Sequence, residues 1–209
     1  MIIRHYLLEG RPMITDEKTR KKIACEATYL ANELVRQLSA PSLILEASEK
    51  DMRKGNFNFL RAGAIRNFCI LGIIVNLYRV IELRDNFLID ILFSEYELRD
   101  MGFPSIDKFL GGSEQMKYLE ILRHQFSGHA TAKWASDRKP GELISPKLLG
   151  TALRETGIDN LRDFAKRLRA DFASQLEEFI GKMRGQFPAV DKFVREEYPL
   201  KLEKGRLGR

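Results

Sequence analysis

The sequence predicts an all-α helical bundle, and three observations indicate this fold class. Apolar residues recur at spacings of three and four along most of the chain, as in helices with one buried face. No stretch shows the apolar/polar alternation that is typical of a strand. The 209 residues, 44% of them hydrophobic, suffice to bury one core. We therefore expect a single domain over residues 1–209, with about four to five main helices over roughly residues 15–185.

The first helix is predicted over residues 15–39. Thr15 or Asp16 is the expected N-cap, and Pro41 is expected just beyond the helix end because proline lacks the amide hydrogen that continues a helix. Residues 41–55 are ambiguous between a short helix and a loop. The apolar stripe of this helix consists of Ile23, Ala27, Leu30, Leu34 and Leu38.

A long, apolar helix is predicted next, over residues 56–84, with a helical pattern that continues to residue 100. Its middle is apolar on almost all sides, which indicates a position at the centre of the bundle. The most apolar run, residues 67–78, is too short to cross a bilayer core of about 30 Å. Polar residues on this helix form either interhelical salt bridges or a shell that orients a functional site. These residues are Arg61, Arg66, Asn67, Arg79 and Glu82.

Three further helices are predicted in the second half of the chain, at residues 113–127, 146–155 and 159–183. The first has Met116, Leu119, Leu122 and Phe126 on its inner face. The last has the strongest apolar stripe, formed by Leu161, Phe164, Leu168, Phe172, Leu176 and Phe179. Residues 186–209 are expected to hold a short terminal helix, which begins at Pro188, and a basic tail.

The composition excludes several classes of protein. Two cysteines cannot form the framework of a disulfide-stapled secreted module, and Cys25 and Cys69 are expected to be buried free thiols. The cysteines and three histidines are too few for a structural zinc site, and we expect no cofactor. Residues 1–22 lack the features of a signal peptide, so we expect a cytoplasmic protein without membrane association. The net charge of +6 is compatible with a polyanionic partner such as RNA.

Two of the three histidines lie close to one arginine, at Arg123, His124 and His129. On an unbroken helix Arg123 and His129 would lie about 120° apart, but Gly128 is the residue type at which helices end, so His129 can turn back toward Arg123. An imidazole and a guanidinium together suit RNA cleavage without a metal. The imidazole moves the proton of the ribose 2′-OH, and the guanidinium stabilises charge on the phosphoryl oxygens. Alternatively, these cations only complement the helix dipole.

The segment Arg123-His124-Gln-Phe-Ser-Gly-His129 resembles the signature of the HEPN superfamily, in which an Arg is followed after four to six residues by a His. The resemblance implies a metal-independent endoribonuclease of a toxin–antitoxin or abortive-infection system, with an antitoxin protein as a partner. It also implies a homodimer whose two motifs face each other in one cleft. The roles it implies are phosphate binding and transition-state stabilisation for Arg123, catalysis for His129, and the polar second position for His124.

A basic segment follows the motif and contains Lys133, Arg138 and Lys139 near Trp134. These cations are predicted to bind the RNA backbone while the indole stacks on a base; the alternative is a solvated loop with a buried tryptophan. Two other functions stay open for the whole chain: a catalytically silent module that holds RNA or a nucleotide, and a purely structural helical-bundle interaction protein. Glu120 and His124, four residues apart, either share a metal or form an ion pair.

Overall fold

The computed structural model describes residues 16–54, 59–126, 146–188 and 190, and it confirms the all-α fold class. These ranges contain no β-strand. Two π-helical segments, Arg84–Leu88 and Leu168–Ala173, continue the helices that precede them. The helices are α1 (Glu17–Arg53), α2 (Phe59–Leu83), α3 (Glu95–Asp100), α4 (Ile106–Leu110), α5 (Ser113–Phe126), α6 (Pro146–Glu155), α7 (Leu161–Arg167) and α8 (Ser174–Gln186).

Helix α1 is longer than predicted. Asp16 is its N-cap, and the Asp16 carboxylate accepts hydrogen bonds from the amides of Lys18 and Thr19. The expected end near residue 39 is wrong, because the helix continues through Pro41 to Arg53. Pro41 costs the helix the hydrogen bond to the carbonyl of Gln37, and the helix continues because Leu34, Leu38 and Ser42 of the same stretch are buried against the bundle.

Helix α2 packs against α1, α5 and α7, with one face in the core and another facing outward. The core face is formed by Cys69, Ile70, Ile73, Ile74, Leu77 and Val80. The predicted position of α2 at the centre of the bundle is confirmed only for its core face, because Leu60, Phe68 and Val75 are exposed. Among the described residues, the helical stretch Leu60–Leu88 is long and apolar enough to span a membrane by length and composition, a test that core helices also pass.

The helical pattern predicted to continue from residue 85 to 100 is interrupted. After the π-helical turn, Asp90 takes a left-handed conformation (φ 61°), which an α-helix cannot accommodate. A new helix, α3, then starts at a capping box, in which the Ser94 hydroxyl accepts from the amide of Glu97 and the Glu97 carboxylate accepts from the amide of Ser94. The helix that begins at α2 therefore ends before α3 starts.

The second half of the chain follows the predicted stripes. Helices α7 and α8 and the π-helical segment between them form one helical stretch from Leu161 to Gln186, and its predicted stripe is buried. Helix α5 begins at Ser113 as predicted and packs against α2 and α6. Cys25 and Cys69 are buried free thiols, as expected. Except for residues 186–188 and Val190, the predicted terminal helix and tail lie outside the described residues.

Candidate functional site

The end of α5 is held against the bundle by its apolar face. Leu119 and Leu122 are fully buried, and the packing of α5 on α2 fixes the direction of the last helical turn. Arg123 and His124 follow immediately in that turn. The position next to a buried leucine therefore places the Arg123 guanidinium beside α2 at the border between core and solvent, where 32% of its side chain is exposed.

Two residues of α2 surround the Arg123 guanidinium. Its central carbon, Cζ, lies 4.3 Å from the centroid of the Tyr78 ring, and its Nη2 lies 3.7 Å from Oε1 of Glu82. Tyr78 and Glu82 are one helical turn apart and share a face. The ring attracts the cation through its quadrupole and the carboxylate through its charge, so both orient the guanidinium.

The Tyr78 hydroxyl has a raised pKa. Burial raises the pKa of its hydroxyl far above the ordinary value of 10.0, and the Glu120 carboxylate raises it further, while Arg123 opposes the shift. The Tyr78 side chain is therefore neutral at physiological pH. It offers Arg123 an aromatic face and no competing negative charge.

His124 lies on the same turn and faces a carboxylate of its own helix. Its Nε2 is 4.0 Å from Oε1 of Glu120, at the limit of an ion pair. Throughout the ranges that the structure describes, no group of three or more His, Cys, Asp and Glu side chains could hold a metal ion. The Glu120–His124 pair therefore has the spacing of a weak ion pair when the imidazole is protonated, and the described residues supply no third metal ligand.

The other predicted site residues lie outside the described residues. These are His129, Lys133, Arg138 and Lys139, with Trp134 beside them. The structure thus places Arg123 and His124, and the approach of His129 to Arg123 stays a prediction.

The polar residues of α2 take different roles. Glu82 pairs with Arg123 and so belongs to the candidate site. Arg79 donates a hydrogen bond to Oε1 of Gln37 at 3.0 Å, and Arg66 donates one to the carbonyl of Asp159 at 3.4 Å, so these two link helices and loops.

Tyr78 is a member of the candidate site that was not predicted from the sequence. Its spacing of four from Glu82, on an otherwise apolar helix, was the available signal.

The arrangement can bind an anion at Arg123. A guanidinium is charged at all accessible pH values and presents its donors in a planar fork that matches two oxygens of a phosphate. Its present partner, Glu82, has 49% of its side chain exposed and lies 3.7 Å away, so water weakens the pair.

Comparisons of this chain with protein-family models, with curated proteins and with solved structures find no match.

Proposed function

We propose that this protein is a metal-independent endoribonuclease of the HEPN type, in which Arg123 binds the scissile phosphate. The observation that carries the proposal is the setting of Arg123: a partly exposed guanidinium at the end of α5, oriented by the Tyr78 ring and by Glu82. A helix-end arginine that only complements the dipole needs neither partner.

Phosphate binding requires that Arg123 exchange the Glu82 carboxylate for the ligand. An exposed ion pair contributes about 0–1 kcal/mol, so the exchange costs little. A phosphodiester then accepts two parallel hydrogen bonds from the guanidinium, while the Tyr78 ring still supports the other side of the cation. The site is therefore arranged to hold a phosphate in a defined orientation.

The chemistry follows from the ribose. In the proposed reaction the 2′-OH gives up its proton and its oxygen attacks the adjacent phosphorus, and the bond from phosphorus to the 5′-oxygen breaks. The products are a 2′,3′-cyclic phosphate and a free 5′-hydroxyl. His129 is proposed to transfer the protons, since an imidazole with a pKa near about 6.5 can both accept and donate at neutral pH. Arg123 stabilises the charge that develops on the phosphoryl oxygens.

The remaining residues of the motif have supporting roles in this proposal. His124 provides the polar second position, and Lys133, Arg138 and Lys139 hold the RNA backbone beyond the cleavage point. The same resemblance to HEPN proteins suggests a toxin–antitoxin or abortive-infection role, with an antitoxin protein as regulator.

The test is cleavage of single-stranded RNA in the presence of EDTA. Wild type is compared with Arg123→Ala and His129→Ala, and Arg99→Ala serves as the matched control because Arg99 also contacts the ring of a tyrosine, Tyr96, but belongs to α3 and not to the motif. We expect both site variants to lose at least about 100-fold in rate and the control to keep it. The same substrate with a single 2′-deoxy sugar at the cleavage point should resist. Equal cleavage by wild type and His129→Ala would refute the catalytic assignment.

A second candidate function is a catalytically silent RNA-binding module. It is favoured by the Glu82 carboxylate beside Arg123, which offsets the charge that a transition state needs, and by the second carboxylate, Glu120, beside His124. This candidate predicts that wild type binds RNA without cutting it and that Arg123→Ala weakens binding. Fluorescence anisotropy with a labelled RNA measures this directly.

A further inference from the structure

The end of α1 and the start of α2 extend beyond the hydrophobic core of the bundle. The two helices pack against each other and are joined by a short connection, so these two stretches lie at the same end of the pair. The last buried residue of α1 is Ser48, and the first described buried residue of α2 is Cys69. Among the described residues 49–54 and 60–68, none is buried. We call these two stretches the hairpin tip.

The hairpin tip exposes three large apolar side chains to water. Met52 is 45% exposed, Leu60 81% and Phe68 65%. Three of the six large apolar side chains that are exposed in the described part of the chain therefore lie in these short stretches. Clustered exposed apolar side chains are typical of a surface that another molecule covers.

The hairpin tip is also strongly basic. Residues 50–68 contain five cations and one acid, Asp51. Lys50, Arg53 and Lys54 form no ion pair with any described residue, whereas the glutamates one and two turns earlier in α1 pair with arginines of the last helical stretch. The C-terminal dipole of α1 attracts cations, but it does not account for the exposed apolar side chains beside them.

We propose that the hairpin tip docks on an anionic membrane surface. Its apolar side chains would enter the interface between headgroups and acyl chains, while Lys50, Arg53 and Lys54 lie beside the anionic headgroups. A nucleic acid also attracts cations, but it binds aromatic faces by stacking and offers no apolar phase for aliphatic side chains such as Leu60. Protein interfaces, in turn, are depleted in lysine relative to the rest of the surface.

This inference does not depend on the ribonuclease activity, and it goes beyond the sequence-based expectation of a protein without membrane association. That expectation rested on the lack of signal-peptide features in residues 1–22 and on an apolar run too short to cross a bilayer. Docking on the surface of a membrane requires neither feature.

Sedimentation with lipid vesicles tests the proposal. The full chain is mixed with vesicles of phosphatidylcholine alone, or of phosphatidylcholine with anionic phosphatidylglycerol. We expect wild type to sediment with the anionic vesicles and much less with the neutral ones, and added salt to release it, because salt screens the headgroup charge. No binding to the anionic vesicles, or equal binding to both kinds, overturns the proposal.

Single substitutions test which residues bind the vesicles. Leu60→Ser should weaken binding at least about tenfold, because it removes the most exposed apolar side chain. Lys54→Gln should weaken binding about fivefold, because it removes one cation. The matched controls are Leu43→Ser, at an exposed leucine of α1 outside the hairpin tip, and Lys117→Gln, at an exposed lysine of α5; both should bind as wild type does.

Circular dichroism checks that every variant keeps its helical content. If folded Leu60→Ser and Lys54→Gln both bind anionic vesicles as tightly as wild type, the proposal is wrong, because another part of the chain then holds the membrane.

A fluorescent label distinguishes a membrane from RNA as the ligand of this surface. A polarity-sensitive fluorophore on Leu60→Cys should shift its emission to shorter wavelength with anionic vesicles, and the same label on Leu43→Cys should not. Cys25 and Cys69 are buried, so wild type treated with the label gives the background. A response at position 60 to single-stranded RNA but not to vesicles would assign the hairpin tip to RNA and overturn the proposal.

Discussion

At the scale of single residues, the proposed function depends on the contacts that α2 makes with Arg123 of α5. The Tyr78 ring and the Glu82 carboxylate orient the Arg123 guanidinium from a different helix. Tyr78 is neutral at physiological pH, and burial raises its pKa so that the ring stays neutral further into alkaline solution. The chemistry of Arg123 therefore depends on its neighbours as much as on its place in the motif.

The raised pKa of Tyr78 predicts that the fold loses stability in alkaline solution. Below pH 10 both the folded and the unfolded chain hold the phenolic proton, so this group has no effect on the free energy of unfolding. Above pH 10 the unfolded chain releases the proton while the folded chain retains it, so unfolding becomes more favourable, by up to about 1.4 kcal/mol for each pH unit.

Urea unfolding of wild type and Tyr78→Phe between about pH 9 and about pH 11 measures this effect. We expect the wild type to lose stability with a steeper slope than Tyr78→Phe. Tyr96→Phe is the control, because Tyr96 is exposed. The free energy of unfolding of this variant should fall with pH as steeply as that of wild type. Identical slopes for wild type and Tyr78→Phe would show that burial does not hold the proton.

At the scale of elements, the observed helix ends differ from those that the local sequence pattern predicts. One helix is longer than predicted and another is interrupted. Helix α1 continues through Pro41 because the residues around it are buried. The stretch after α2 breaks although its sequence pattern is helical, because the left-handed Asp90 and the Ser94 cap redirect the chain. Helix ends are thus decided by burial and capping together.

The continuation of α1 predicts that Pro41→Ala stabilises the protein. Alanine restores the amide that bonds to the carbonyl of Gln37, and a proline inside a helix costs about 3 kcal/mol relative to alanine. Part of this gain is offset by the lost packing of the buried ring, so we expect a net increase of about 1–2 kcal/mol in the free energy of unfolding. Chemical denaturation measures the change; a decrease would mean that the ring contacts dominate.

At the scale of the whole molecule, the described core joins α1, α2 and the helical stretch from Leu161 to Gln186. Phe172 and Phe179 are its largest fully buried side chains. Phe109 packs edge-on against Phe164 and at a tilt against Phe172, which links α4 to this stretch. The described helices therefore share one continuous core.

Removing one of the core aromatics should therefore destabilise the whole protein. We expect Phe172→Ala to lower the free energy of unfolding by about 3–5 kcal/mol, since it leaves a cavity that the surrounding helices cannot fill. The matched control, Leu43→Ala, removes an exposed apolar side chain and should change stability by less than about 0.5 kcal/mol. Equal losses for the two variants would place Phe172 outside the cooperative core.

The sequence predicted those features that depend on residues close together in the chain. The stripe of Leu168, Phe172 and Leu176 is a local periodicity, and the structure buries it as expected. Arg123 and His124 were found from a short motif, and the structure places both at a helix end. Tyr78 was missed because its relation to Arg123 exists only where α2 and α5 pack together.

The sequence by itself determined the all-α class, the buried faces of most helices and the region of the candidate site. Periodicity and composition carry this information, because they set which surfaces must leave water. Tertiary structure alone decided that α1 runs through Pro41, that Tyr78 and Glu82 orient Arg123, and that Leu60, Phe68 and Val75 of α2 are exposed. The physical reason is that such contacts join distant residues, and their free energies appear only when the helices have packed.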